Sequence, residues 1–349
     1  MGKREQNPTI IDVARRAGVS PTTVTHALNG KRPVGTGTRE RVLKAVEELN
    51  YVPSISAQSL RGGRTGIIGC LAVDIAETFV NQIVRGVEKG LPGSGLSLLF
   101  ASGVEFGDDF EEAYAFLKGY RVDGLLICHH LPKGRIALAA AETSELPAVS
   151  INMEIPGMIS VVPDNVRGGF QAAEHLYVSG MRHPAMICGP RDRLSVADRL
   201  NGFGARVREL GLDLSERAVL FGDYSFAHGF EAAKALVDAD PAIDGIFCAN
   251  DYIAAGAIAR LAEMGIEVPR GIRVAGFDNR DFSAFKPFPI TTFEQPLQEM
   301  GLLGIGLLRC AIDQSPGAGT SPPLHVLQSR LIPRWSTLGW NPVEIPSLI

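Results

Sequence analysis

The sequence predicts an all-α helix-turn-helix head followed by an α/β body of two doubly wound parallel-sheet lobes. Three observations carry that prediction. Residues 9–29 read as two short helices around a glycine, and from Gly66 onward short apolar runs alternate with amphipathic stretches. Charge is also divided unevenly: residues 1–64 hold 11 Lys and Arg against 5 Asp and Glu, while the whole chain of 349 residues has a net charge of −4. A chain of this length has room for two or three domains and a sizeable core.

In the head, Thr9 stands where a helix N-cap belongs, with Asp12 at the capping-box position three residues on. Val13, Ala14 and Ala17 share one face, and Gly18 supplies the left-handed conformation that ends a helix and turns the chain. Ser20-Pro21 restarts it: a capping hydroxyl, then a proline at the first helical position, where no N–H is needed. Val24, Ala27 and Leu28 form the inner face of the second helix, leaving Pro21, Thr22, Thr25 or His26, and Asn29 pointing outward. Small hydrogen-bonding groups without apolar bulk suit a helix that enters a major groove N-terminus first and reads base edges. An ordinary surface hairpin of helices would carry the same polar face. Arg15, Arg16, Lys31, Arg32, Arg39, Arg41 and Lys44 surround the pair and suit phosphate contacts, which position without reading sequence. Thr38 is the expected cap of a third helix, whose stripe of Val42, Val46 and Leu49 closes a three-helix core.

Tyr51-Val52-Pro53 stops that helix, and Ser54 can cap one more piece that Gly62-Gly63 ends. At about two turns this piece falls below the ~12–15 residues an isolated helix needs, so it reads as a hinge that orders against a partner. Leu60, flanked by Arg61 and Arg64, either wedges between base pairs from the minor groove or packs on the neighbouring domain.

The body alternates. TGIIGCLAV, LSLLFAS, VDGLLICHH, PAVSIN, ISVVPDN, HPAMICG, GIFCAND and IRVAGFDN read as strands, with helices such as VNQIVRGVEKGL and DDFEEAYAFLKGY between them. Such alternation implies parallel sheets covered on both faces, here in two halves with a boundary near Val162-Pro163-Asp164. Ligands of such folds bind beyond the carboxyl ends of strands. Those ends carry Asp74, His129, Asn165, Arg191 to Arg199, Asn250-Asp251 and Asp278-Asn279. These hydrogen-bonding groups suit a polar ligand such as a sugar held between lobes, and equally suit helix caps and turns.

Several function classes are disfavoured. There is no Walker A loop, no G-x-G-x-x-G after the first strand and no G-x-S-x-G elbow. His129 and His130 are adjacent on a strand, so they point oppositely, and no third ligand follows at a telling spacing. No catalytic set, metal or cofactor is therefore expected. The five cysteines, Cys70, Cys128, Cys188, Cys248 and Cys310, are odd in number and not at ligand spacing, which fits a reducing cytoplasm; the first four read as buried small hydrophobes. No apolar run approaches the ~18 residues of a membrane span. MGKREQNPT lacks the apolar core of a secretory signal.

TIIDVARRAGVSPTTVTHALNG, YVPSISAQSLR, VDGLL, VVPDNVRGGF, ADRLNGF, ANDYIAAGAI, VPRGIRVAGFDN and TTFEQPLQEMG, in that order and over nearly the whole chain, resemble the lactose-repressor (LacI/GalR) family. The body motifs are shared with periplasmic sugar-binding proteins. The resemblance implies a DNA-binding head at 1–53, a hinge helix and linker at 54–65, and an effector-binding and dimerisation body at 66–349, periplasmic-binding-protein-like. Its first lobe would span about 66–162 and 293–325, its second about 163–292 and 326–345. The protein implied is a cytoplasmic homodimeric repressor that binds near-palindromic double-stranded DNA and a small sugar-like effector.

By the same resemblance, Pro21, Thr22 and His26 would face base edges, and Thr23, Thr25 and Asn29 would support them or contact the backbone. Thr9 and Ser20, at the two helix starts, complete the major-groove set, and Ala57 and Leu60 would enter the minor groove. In the body, Arg199, Asn250 and Asp278 match positions that hold effector hydroxyls, Arg193, Ser195 and Tyr224 match more variable pocket positions, and Phe79 matches an aromatic that often stacks on the ligand. Two departures stand out. The family's common Asn-Pro-Phe-Phe is here Glu77-Thr78-Phe79-Val80, which alters the pocket wall, and its usual Gly-His is Gly180-Met181-Arg182-His183, away from the pocket. WNPVEIPSLI at the end carries no leucine heptad, which favours a dimer over a tetramer. A solute-binding protein of a sugar transporter would share the body; the basic head and the polar N-terminus speak against it.

Overall fold

The computed structural model describes residues 8–29, 32–51, 64–72, 74, 77–102, 110–128, 146–287, 289–313 and 323–339. The expected hinge piece with Ala57 and Leu60, and the pair His129-His130, lie outside the described residues, as does the side chain of Asn29. The chain divides into two units, Met1–Thr65 and Gly66–Ile349.

Among the described residues the first unit holds three helices, α1 (Ile10–Ala17), α2 (Pro21–Asn29) and α3 (Thr36–Glu48). At the start of α1 the Thr9 N–H and hydroxyl both donate to Asp12 Oδ2, at 2.9 and 2.6 Å. These bonds hold the Asp12 carboxyl below its ordinary range. The helix ends at Gly18, whose φ of 65° turns the chain while the Val19 N–H reaches back to the Ala14 carbonyl at 3.0 Å. Ser20 opens α2, its Oγ accepting from the Thr23 N–H at 3.1 Å. Val13, Ala14, Ala17, Val24, Ala27, Val42, Ala45 and Tyr51 bury together as the core. One expectation is corrected: Gly35, not Thr38, caps α3. The Thr38 and Arg39 N–H groups close on the Gly35 carbonyl at 2.9 and 3.0 Å, so Thr36 and Gly37 already lie in the first turn.

The second unit begins with β1 (Ile67–Ala72), α4 (Thr78–Gly90), β2 (Ser97–Ser102), α5 (Phe110–Gly119), β3 (Gly124–Cys128), β4 (Ala148–Ile151) and β5 (Ile159–Pro163). The second lobe follows as α6 (Asn165–Val178), β6 (Pro184–Cys188), α7 (Leu194–Glu209), β7 (Val219–Phe221), α8 (Phe226–Ala239), β8 (Gly245–Cys248), α9 (Asp251–Glu263) and β9 (Arg273–Ala275). The chain then runs through β10 (Thr292–Glu294), α10 (Leu297–Asp313), β11 (Leu324–Leu327), β12 (Arg330–Ile332) and α11 (Trp335–Leu338). The first sheet has the order β11-β5-β4-β3-β1-β2 and the second β7-β6-β8-β9, parallel throughout. β10 and β12 pair antiparallel as a ribbon of their own. This is the pair of doubly wound parallel sheets that the alternating pattern predicts. Because β11 pairs with β5 along its length, the first lobe's return segment reaches Leu327, past residue 325. Strands β7, β10, β11 and β12 have no counterpart in the sequence reading; each is only three or four residues long, too short to show a period.

Cys70, Cys128, Cys188 and Cys248 are buried in β1, β3, β6 and β8, and burial pushes the Cys188 thiol up to about 12. They pack as small apolar groups. Among the described residues no helix is long and apolar enough to cross a membrane.

Three helix pairs pack through matched glycines. A Cβ on Gly169 of α6 would collide with the Arg199 carbonyl of α7, and one on Gly202 of α7 with the Val166 carbonyl of α6. Gly229 and Gly256 do the same for α8 and α9, as do Gly86 and Gly301 for α4 and α10. Backbone lies on backbone at these crossings, which no side chain permits. Arg199 is thereby fixed against α6, at the edge where the carboxyl ends of β7, β8 and β9 also deliver Tyr224, Asn250 and Asp278.

Candidate functional site

The outward face of α2 begins with Pro21 and Thr22, both exposed, and continues through Thr25 and His26, both half-buried. Three of its hydroxyls already have partners. Ser20 Oγ and Thr23 Oγ1 share a hydrogen bond at 2.9 Å, and Thr25 Oγ1 donates to the Pro21 carbonyl at 3.0 Å. A hydroxyl so engaged keeps spare accepting or donating capacity and is held in one rotamer. Arg32, Arg39, Arg41 and Lys44 are exposed. Arg15 and Arg16 are exposed too, but are paired with Asp12 at 3.2 Å and Glu48 at 2.6 Å. This unit is therefore a small capped scaffold presenting hydroxyls, an imidazole and cations to water.

The body site is built the opposite way. Arg199, on α7, is 5% exposed. Its Nε donates to Asn165 Oδ1 at 2.9 Å, its Nη1 to the Ala249 carbonyl at 2.5 Å, and its Nη2 lies 3.9 Å from Asp278 Oδ1. The guanidinium stacks 3.6 Å from the centroid of the Phe277 ring. Burial lowers the Arg199 pKa and the Asp278 charge opposes that shift. Asp278 also accepts from Gln295 Nε2 at 2.7 Å. Burial raises the Tyr224 hydroxyl, against the field of Arg199 and a hydrogen bond with Ser195. Arg193 occupies the N-cap position of α7, so Arg193, Ser195 and Arg199 leave the same helix toward Tyr224 and Asp278.

Asn250 realises the capping alternative: its Oδ1 accepts from the Ile253 N–H at 2.8 Å at the start of α9, and its Nδ2 donates to the Tyr224 carbonyl at 3.2 Å. Phe79, in the first turn of α4, faces a cavity of about 420 Å³ shared with Thr78, Gln82, Asp278, Arg280 and Gln295. Asp278 is the residue common to this cavity and the Arg199 cluster. Sequence reasoning did not single out Arg280 or Gln295. Arg280 reaches Glu77 Oε2 at 3.7 Å from the opposite lobe, and its Nε, like Gln295 Oε1, is buried without a hydrogen-bond partner. A buried donor, Arg280 Nε at 3.9 Å from Asp278 Oδ2, and a buried acceptor, Gln295 Oε1, beside this cavity suit a ligand that both donates and accepts. Their only signal was adjacency, Arg280 to Asp278-Asn279 and Gln295 to the β10 crossover.

A helix-turn-helix unit and a two-lobed body with a cleft between its sheets define a class, that of a ligand-sensing regulator. The model of bacterial regulatory proteins of the lacI family matches residues 9–54, and that of the periplasmic binding protein-like domain matches residues 173–337. The chain is 34% identical over 306 residues to the HTH-type transcriptional repressor PurR of Aliivibrio fischeri (strain MJ11), covering 86% of this chain and 90% of that one. It is 30% identical over 352 residues to the HTH-type transcriptional regulator CelR of Thermobifida fusca, covering 96% and 99%. Of solved structures, the lac repressor dimer bound to operator and the anti-inducer ONPF matches with a TM-score of 0.83 and 28% identity, over 95% of this chain and 100% of that one. The CelR–cellobiose complex matches with a TM-score of 0.69 and 30% identity, over 94% and 99%. The chain belongs to the lacI family of bacterial regulatory proteins. It is a DNA-binding transcriptional regulator rather than an enzyme.

Proposed function

We propose that this regulator is a cytoplasmic homodimeric repressor whose affinity for a near-palindromic operator is set by a small polar, sugar-like effector bound between the lobes. The observation that carries the reading is the presence, in one chain, of the polar outer face of α2 with exposed cations on and before α3, and of the buried Arg199–Asp278 cleft. Pro21, Thr22 and His26 read base edges, Thr9, Ser20, Thr23, Thr25 and Asn29 hold or contact the backbone, and the exposed arginines fix register on phosphates. Ala57 and Leu60 enter the minor groove at the operator centre, with Leu60 as the wedge. In the body, Arg199, Asp278 and Asn250 hold effector hydroxyls, Arg193, Ser195 and Tyr224 shape the pocket, and Phe79 stacks on the ligand. Effector binding changes the angle between lobes and hence the spacing of the two heads, and a coupling of ~1–3 kcal/mol changes operator affinity several-fold to a hundredfold.

The test is selection of bound sequences from a random duplex DNA pool at two salt concentrations, without and with a metabolite mixture. The expected result is one near-palindrome bound with steep salt dependence, which then serves as probe for saccharides that shift the affinity. No enriched sequence under either condition overturns the reading. A Leu60→Ala protein that binds the selected operator as tightly as the wild type removes the wedge from it.

A further inference from the structure

Asp278 and Asn279, which bring the cleft its carboxylate, are not glycines, yet both have left-handed backbones, with φ of 99° and 49°. Such a turn persists only where its surroundings over-determine it. Arg334 and Glu294 bond the Asn279 side chain at 2.6 and 3.2 Å, and beneath the loop one buried residue bonds both its backbone and β10. Asp251, the first residue of α9, is fully buried. Its Oδ2 accepts from the Arg280 N–H at 2.8 Å and its Oδ1 from the Thr292 hydroxyl at 2.6 Å. That same hydroxyl accepts from the Asn279 N–H at 3.2 Å, and the Asp278 N–H donates to the Phe293 carbonyl at 2.9 Å. A single carboxylate thus joins the helix start, the cleft loop and the crossover strand β10. We propose that Asp251 is the positioning residue of the effector cleft, holding loop 278–280 in its left-handed turn and tying it to β10. The proposal rests on the cleft being the effector site.

The charge state of Asp251 gives the proposal a readout that a packing role would not have. Burial pushes its carboxyl up to about 7. The charged or titratable groups around it are Asp278 on the loop, Arg334 before α11, Arg199 on α7 and Cys248 at the end of β8. Arginine keeps its charge near neutral pH, and burial pushes Cys248 far up. When the loop opens, water reaches Asp251 and its pKa returns to the ordinary carboxylate range. The closed form therefore holds its proton to higher pH than the open form, and raising the pH through 7 favours opening.

Amide hydrogen exchange of the peptide spanning 276–284 in the full chain, corrected for intrinsic rates, reads this directly. In the wild type, opening is expected to be about tenfold more frequent at pH 8 than at pH 6. Asp251→Asn should abolish the difference. Thr292→Val, which leaves the carboxylate in place, should speed exchange at pH 8 by about tenfold, and Thr292→Ser should restore it. An Asp251→Asn protein that keeps the wild-type pH dependence overturns the proposal, as does a wild type with none. The measurement needs no effector, so it fails independently of whether the cleft binds one.

Discussion

The α2 face and the Arg199 cleft both present polar groups, and they hold them by opposite means. On α2, Thr22 stands in water and the neighbouring hydroxyls are steadied by one or two short-range bonds within the same helix. In the cleft, Arg199 is bonded across two other elements, α6 and the end of β8, and backed by a phenyl ring. An exposed face can exchange partners cheaply, since water replaces whatever is lost. A buried cation cannot, since each lost partner leaves a desolvated group unmet. The difference teaches that variation in what is recognised is cheap on the head and expensive at the base of the cleft.

The sharpest way to break this comparison is Arg199→Ala. It leaves Asn165 Oδ1, the Ala249 carbonyl and Asp278 without their buried partner, and is expected to cost about 3–5 kcal/mol of body stability, read by urea denaturation. A loss no larger than that of a surface substitution would show that the cluster is wetter than its burial indicates. Gly169→Ala comes next. The added methyl meets the Arg199 carbonyl, so α6 and α7 must part, at about 1–3 kcal/mol and with a lowered thermal midpoint. In the head, Ser20→Ala removes the α2 cap and is expected to cost about 0.5–2 kcal/mol, measured on the head's own unfolding transition. Thr22→Ala should be the smallest, within about 0.5 kcal/mol of wild-type stability. Its effect belongs in operator preference, and unchanged preference would take Thr22 out of the reading face.

The same contrast governs what the sequence disclosed. The head was legible because its signals are local: Thr9 with Asp12, Gly18, and Ser20 with Pro21 each act within a turn or two of themselves. Thr38 misled because Gly35, a residue with no capping side chain, opens the helix one turn earlier through its carbonyl alone. The long strands were legible as apolar runs, whereas β10 and β12 exist through pairing with each other across intervening chain, which no local pattern records. In the cleft, Arg199 and Asp278 came from motifs resembling a family. Gln295 and Arg280 did not, because what marks them is convergence in space on Asp278 and Glu77. Asn250 shows the capping reading: its Oδ1 caps α9 and its amide group bonds the Tyr224 carbonyl.

The matched glycines have a mechanical consequence. Where two helices touch backbone to backbone there is no flexible side chain to act as a cushion, so α6 with α7, α8 with α9, and α4 with α10 each behave as one stiff bar. Bars of this kind transmit displacement and do not absorb it. Compliance is therefore concentrated in the few residues that run between the lobes, around Asp164, Gln295 and Ser329, and a small change of angle there arrives undiminished at the far end of each lobe.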